Sequence, residues 1–241
     1  MRSRSRTHGT ALPRTAWVLA VTNFLVAIGF GVVIPVLGPF ARTFGADTFQ
    51  LGLVVSTFAL MRLLFSPFAS RIGRVIGERN AITLGTLIVA VTSFGIALSP
   101  NLWWMISVRA LGGIGSALFT ISAFNLLITT TPQQLRGRAS GLSQGGFLLG
   151  NMAGPALGGL LGAVALQAPF YFYAATLLAA GVAAFLMLPS RSAPLPAAAR
   201  SSKTLREVSG DIRFRAACLM GFAQGWQSIG VRTALLPIII T

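Results

Sequence analysis

The chain has 241 residues, of which 54% are hydrophobic and 10% are charged, and its mean hydropathy is +0.76. These values are typical of proteins with several membrane spans and argue against a soluble domain. The formal charge of +15 raises the question of nucleic-acid binding. No basic stripe interleaved with aromatic residues lies on a soluble segment, so we expect no nucleic-acid partner. The single Cys218 and single His8 give no metal cluster or Cys-His nucleophile, and we expect no metal and no cofactor.

Seven apolar runs account for most of the chain, and each approaches or exceeds the roughly 20 residues that a bilayer requires. The first run could be a cleaved signal peptide, but it is longer than a typical signal sequence and further runs follow it. We therefore predict an all-α, polytopic membrane protein in contact with the lipid bilayer. The predicted helices cover about 16–40, 50–70, 81–99, 102–128, 138–165, 168–188 and 216–240.

The positive charges lie on one side of the predicted membrane. Fifteen of the nineteen Lys and Arg residues fall in the N-terminal segment and in alternate connections, whereas the other side carries Arg42, offset by Asp47. This distribution follows the positive-inside rule. We therefore predict a cell-membrane protein with a cytoplasmic N-terminus, and with the turns at 99–101 and 167–169 outside.

A basic segment with two prolines separates the sixth apolar run from the seventh. We predict a six-helix bundle at 1–188, a cytoplasmic linker at 189–215 and the first helix of an incomplete second bundle at 216–241. The chain is then expected to be truncated or to need its remainder from a partner chain. Gly52 and Pro67 of the second run are spaced much like Gly141 and Pro155 of the fifth, which favours a three-helix inverted repeat.

Glycine recurs every four residues in the fifth run, and we call this set the glycine ridge. On a helix it forms a nearly straight line without side chains, about 24 Å long, which suits close approach of another membrane helix. Pro155 frees the carbonyl of Asn151, which then needs a donor, a water or a cavity. The glycine ridge consists of Gly146, Gly150, Gly154, Gly158 and Gly162.

The same run matches the antiporter motif G-x-x-x-G-P-x-x-G-G at every fixed position. The motif residues are Gly150, Gly154, Pro155, Gly158 and Gly159, with Asn151 at a variable position. Together with the glycine- and proline-containing first run, this motif resembles the major facilitator superfamily, especially its drug/proton antiporter branch. A generic glycine packing face is the alternative. The resemblance covers essentially the whole chain and implies that the fifth helix packs against an opposite half of the transporter.

Two further stretches resemble motifs of that family. Arg109, followed by Gly112 and Gly113, corresponds to an arginine that the family associates with proton coupling. Because Arg109 and Gly113 are one helical turn apart, the cation should point into the bundle. An arginine that only bonds helix carbonyls is the structural alternative.

The connection after the second run matches the family pattern G-x-x-x-D-R-x-G-R-R in part. Gly77 and Arg79 agree with it, whereas Arg74 replaces the aspartate and Glu78 replaces an arginine. In the family this aspartate is thought to cap a helix and to pair with basic residues of the opposite half. The resulting latch, which here would include Arg71, is expected to be weakened unless Glu78 substitutes for the aspartate.

Polar residues within the apolar runs are candidates for substrate contacts. No apolar run contains a carboxylate, so Arg62 should face a wet cavity, an anionic substrate or freed carbonyls. A snorkelling arginine near the inner interface is the alternative. The other candidates could line a central cavity or form interhelical hydrogen bonds. They are Asn23, Arg109, Asn125, Gln144, Asn151, Gln224, Trp226 and Gln227.

The sequence therefore predicts a secondary transporter that exports small organic molecules by alternating access, with a small-molecule substrate and a proton as its family-implied partners. Because the apolar runs lack a carboxylate, proton coupling would need an acid elsewhere. The second hypothesis is a non-transporting membrane protein, either truncated or a half-transporter that needs a partner chain. An enzyme is not expected, because paired acids, histidines and a reactive serine setting are lacking.

Overall fold

The computed structural model describes residues 11–190, 210 and 212–225, and within these ranges the chain is helical, without strands. Among these described residues, six long helices are apolar and long enough to cross a membrane. This confirms the predicted all-α, polytopic fold. The helices of the described residues are α1 (Arg14–Arg42), α2 (Thr48–Ile76), α3 (Glu78–Ala97), α4 (Leu102–Thr130), α5 (Arg136–Val164), α6 (Ala168–Met187) and α7 (Ile212–Gly225), with a 3-10 turn at Gln133–Leu135.

The corner between α2 and α3 is sharper than predicted. α2 continues to Ile76, so Arg71 and Arg74 are helical, and the prediction that they lie in a loop is wrong. Gly77 alone joins the two helices, with φ of 87° and ψ of 144°. Only glycine adopts this backbone region without strain, which explains why the motif has glycine at this point.

α1 to α6 form one compact unit with an internal symmetry. They pack in the order α5, α1, α6, α3, α4, α2. Helices α1, α2 and α3 correspond to α4, α5 and α6, in that order. The contact between α1 and α5 then corresponds to the contact between α4 and α2, and the contact between α1 and α6 corresponds to that between α4 and α3. The helix lengths of 29, 29 and 20 residues also recur in order. Pro67 is the twentieth residue counted from Thr48, and Pro155 the twentieth from Arg136. These features agree with the predicted three-helix repeat.

The glycine ridge packs against α1 of the same bundle. A Cβ atom added to Gly146 would lie 2.6 Å from the carbonyl oxygen of Ala20, and one added to Gly154 would lie 2.5 Å from Cα of Gly31. The ridge itself therefore faces α1, and the expectation that the fifth helix packs against an opposite half stays a prediction for the remaining face of α5. Gly154 of the ridge lies opposite Gly31, and because neither residue has a side chain, the backbones of α5 and α1 can meet at this point. The carbonyl oxygen of Asn151 also lies against Gly31, where a Cα–H group can point at it.

The second compact unit contains α7. This helix begins at Ile212, four residues before the predicted start of the seventh run, and its description ends at Gly225. Gln224 lies on α7 with its side chain outside the described part of the structure. Trp226 and Gln227 lie outside the described residues, as does most of the predicted linker.

Candidate functional site

Arg109 is buried in the bundle, with 8% of its surface exposed. Its Nε donates a hydrogen bond of 2.9 Å to the carbonyl oxygen of Val54 in α2. Its Cζ lies 5.2 Å from the centre of the Phe58 ring. The cation therefore points into the bundle, as predicted, and is held by a carbonyl and an aromatic face.

Gly113 allows α4 to approach α2 at this level. A Cβ atom on Gly113 would lie 3.1 Å from the amide nitrogen of Arg62, whereas the nearest atom to a Cβ on Gly112 is Oγ1 of Thr92 in α3, at 3.0 Å. A larger side chain at Gly113 would push α2 away from α4. The glycine one turn after Arg109 thus helps to bring the Phe58 ring and the Val54 carbonyl within reach of its guanidinium.

Arg62 lies one helical turn after Phe58, near the middle of α2, and is exposed. Its Nη2 lies 3.2 Å from Oγ1 of Thr120 in α4 and donates a hydrogen bond to it. This position is far from either end of the helix, which argues against the snorkelling alternative. The α2–α4 contact thus carries two cations, Arg109, which is buried, and Arg62, which is exposed.

Aromatic residues extend this contact toward α1 and α6. Phe58 stacks on Phe30 with ring centres 6.3 Å apart. Phe30 in turn meets Tyr173 edge-on at 6.4 Å. We call these three rings and the two arginines the cation–aromatic cluster. Such a cluster can bind a planar aromatic molecule through its rings and an acidic group through the exposed guanidinium.

The aromatic members of the cluster were missed in the sequence. The chain contains 17 phenylalanines, and a phenylalanine in an apolar run has no feature that separates a cavity-lining ring from a lipid-facing one. Tyr173 offered a signal, because it is one of only two tyrosines and carries a polar group inside an apolar run.

Three other candidates have different surroundings. Asn23 of α1 donates a hydrogen bond of 2.6 Å to Oγ of Ser143 in α5, which is an interhelical hydrogen bond. Asn151 donates to the carbonyl of Phe147 in its own helix at 3.1 Å. Gln144 is exposed on α5. Neither hydrogen bond involves the cation–aromatic cluster.

The motif glycines of α5 divide between two faces. Gly150, Gly154 and Gly158 are buried against α1, whereas Gly159 has open space around it and Pro155 is exposed. The antiporter motif therefore serves the α1–α5 contact with three of its glycines and leaves the fourth on an uncovered face.

Glu78 is buried at the α2–α3 corner, with 8% of its surface exposed. Its Oε1 accepts a hydrogen bond of 3.3 Å from Nδ2 of Asn125 in α4. Gly73 makes room for it, because a Cβ there would lie 2.6 Å from Oε2 of Glu78 and 2.9 Å from Oγ of Ser122. As the first residue of α3, Glu78 places a carboxylate at the end of a span that was predicted to contain none.

The arginines of the same corner point in different directions. Arg71 and Arg74 are exposed. Arg79 is half-buried and its Cζ lies 4.7 Å from the centre of the Phe185 ring in α6. The corner therefore combines a buried acid with two exposed cations and one cation on an aromatic face.

We expect Asn125→Ala to destabilise the protein by about 1–3 kcal/mol, because it leaves a buried carboxylate oxygen without its donor. The check is a double-mutant cycle with Glu78→Ala, followed by thermal unfolding in detergent. In the Glu78→Ala background, Asn125→Ala should cost at least about 1 kcal/mol less. Additive effects of the two substitutions would contradict a stabilising contact between these side chains.

Residues 19–241 match the family model described as Major Facilitator Superfamily. The chain belongs to the major facilitator superfamily. Quinolone resistance protein NorA of Staphylococcus aureus (strain MRSA252) is 30% identical over 175 residues, which are 71% of this chain and 43% of that protein. Multidrug resistance protein 2 of Bacillus subtilis (strain 168) is 29% identical over 178 residues, 73% and 44% of the two chains. These relatives place the chain in the drug/proton antiporter-like branch of the superfamily.

Solved facilitator structures share the fold. The human organic anion transporter MFSD10 (TETRAN) matches with a TM-score of 0.65 and 18% identity, over 73% of this chain and 47% of the other. The peptide transporter POT in complex with sulfate matches with a TM-score of 0.67 and 14% identity, over 90% and 47%. The chain spans less than half the length of the relatives it matches.

Proposed function

We propose that this protein takes part in secondary active export of small organic molecules by alternating access. The observation that carries the proposal is the cation–aromatic cluster, which lies within a facilitator bundle and includes an exposed arginine near the middle of α2. The relatives named for quinolone and multidrug resistance support drug-like substrates. The cluster favours planar aromatic compounds with an acidic group, since Arg62 supplies the charge and Phe58 the ring surface.

A second six-helix bundle would complete the transporter. α5 and α2 are the first and last helices in the packing order of the described bundle, so each has a face that no other helix of the bundle covers. Both helices expose apolar side chains there. Glycines with open space around them add places for close approach on α5. We propose that these faces contact a second bundle, supplied by further chain or by a partner. The exposed residues include Leu63, Leu64, Phe68, Leu148, Leu149, Met152, Gly141 and Gly159.

The proposed domain organisation keeps the predicted N-terminal bundle at 1–188 and the linker from 189, and it moves the start of the first helix of the second bundle from 216 to Ile212, where α7 begins. The one-sided arginines favour a cytoplasmic N-terminus in the cell membrane. The latch between halves is proposed to be weak, because Glu78 is buried against Asn125 and Arg74 cannot accept the bonds of an aspartate.

The test is accumulation of a fluorescent quinolone in cells that express the chain alone, or together with the C-terminal half of the NorA relative. Membrane insertion is checked by immunoblotting of membrane fractions. We expect lower accumulation with the assembled pair, reversed by a protonophore if a proton gradient drives export. An inserted chain that leaves accumulation unchanged in both settings would support the alternative of a non-transporting membrane protein.

A further inference from the structure

A groove of about 360 Å³ runs between α3 and α6. It shares no residue with the cation–aromatic cluster. Several of the side chains that line the groove are exposed, including Leu178, Val182 and Phe185. The groove therefore opens sideways from the bundle toward the hydrocarbon of the membrane. Its lining consists of Thr83, Thr86, Leu87, Leu177, Leu178, Gly181, Val182, Phe185 and Leu186.

The groove is apolar in spite of its two threonines. The hydroxyl of Thr83 donates to the carbonyl of Arg79 at 3.1 Å, and that of Thr86 to the carbonyl of Thr83 at 2.9 Å. Because both hydroxyls bond their own helix, the groove offers a ligand few polar groups. Along α6 the lining extends from Leu177 to Leu186, which is about 14 Å at the rise of a helix. This length and polarity suit a hydrocarbon chain.

A cation lies at one end of the groove. Arg79 precedes Thr83 by one helical turn, and its Cζ lies 4.7 Å from the ring of Phe185, which lines the groove. Its Nε is buried without a hydrogen-bond partner among the described residues. The half-buried guanidinium therefore lies on an aromatic face, and its Nε makes no hydrogen bond to the described residues. Such a fork matches the oxygens of a phosphate.

We propose that this groove binds an anionic phospholipid, with one acyl chain between α3 and α6 and the headgroup phosphate on Arg79. A lipid fits this site because the apolar lining of the groove leads directly to the cation Arg79, and because the groove opens sideways toward the membrane. The headgroup is anionic because Arg71 and Arg74 add positive charge at the same corner. Basic residues beside membrane helices attract acidic lipids in this way.

Binding is tested on the delipidated full chain in detergent, by native mass spectrometry and thermal unfolding. The probes are dioleoyl phosphatidylglycerol, dioleoyl phosphatidylcholine with the same acyl chains, and inorganic phosphate. Phosphatidylglycerol should bind about tenfold more tightly than phosphatidylcholine and should raise Tm, whereas phosphate should leave Tm unchanged. Equal binding of the two lipids would overturn the role of Arg79, and an equal response to phosphate would overturn lipid as the ligand.

Two pairs of variants locate the site. Arg79→Gln should reduce phosphatidylglycerol affinity about tenfold, whereas Arg42→Gln, the same change at an exposed arginine at the end of α1, should have little effect. Val182→Trp should fill the groove and weaken both lipids, whereas Val91→Trp, at an exposed position of α3 outside the lining, should not. Equal effects within either pair would overturn the site. The result does not depend on transport activity.

Discussion

Gly154→Ala is expected to lower the stability of the bundle by about 1–3 kcal/mol, and Gly154→Leu to prevent recovery of a folded monomer. The added Cβ would meet backbone atoms of Gly31 at 2.5 and 2.6 Å. A backbone cannot change rotamer to make room, so α1 and α5 would have to separate. Separation at one level would also disturb the neighbouring contacts of Gly150 and Gly158, because the glycine ridge is nearly straight.

The matched control is Gly159→Ala, which makes the same change in the same helix where no atom lies within 4 Å. It should be neutral or stabilising, since alanine favours a helix over glycine by up to about 1 kcal/mol. Thermal unfolding and size-exclusion chromatography in detergent would compare the two variants. If Gly154→Ala unfolds at the same temperature as Gly159→Ala, the α1–α5 contact is looser than the structure shows.

The sequence contained enough to predict the six-helix bundle. Runs of apolar residues define membrane spans because the bilayer sets their length, and a proline recurring at the same place in two helices reveals the repeat. The partner of the glycine ridge could not be predicted. A row of glycines shows that a helix approaches closely, but the neighbour depends on which other helix offers a matching gap. Gly31 of α1 supplies it here.

The site was predictable where one helix determines the geometry. The spacing of Arg109 and Gly113 places both on one face, and this indicated that the cation enters the bundle. The Phe58 ring and the Asn125–Glu78 hydrogen bond join different helices, and no sequence pattern specifies such distances. The burial of Glu78 was missed because a helix start cannot be located to within a turn when arginines and a glycine surround it.

Replacement of Arg109 by glutamine should separate its structural role from its role in transport. The substitution removes the hydrogen bond to Val54 and the contact with Phe58, which lowers the stability of the bundle. It also removes a buried charge, which is costly in a membrane, and this gain offsets the loss. We therefore expect Tm to change by only a few degrees. Export by the assembled pair of halves should fall at least tenfold if the charge responds to substrate or proton.

Arg42→Gln is the matched control, because it removes the same charge from the exposed end of α1. Both variants are compared for Tm and for gradient-driven efflux of the fluorescent quinolone. A large fall in Tm with normal efflux per folded molecule would assign Arg109 to the α2–α4 contact alone. A normal Tm with efflux that no longer responds to the proton gradient would place its charge in the coupling step, and unchanged gradient-driven efflux would remove Arg109 from the mechanism.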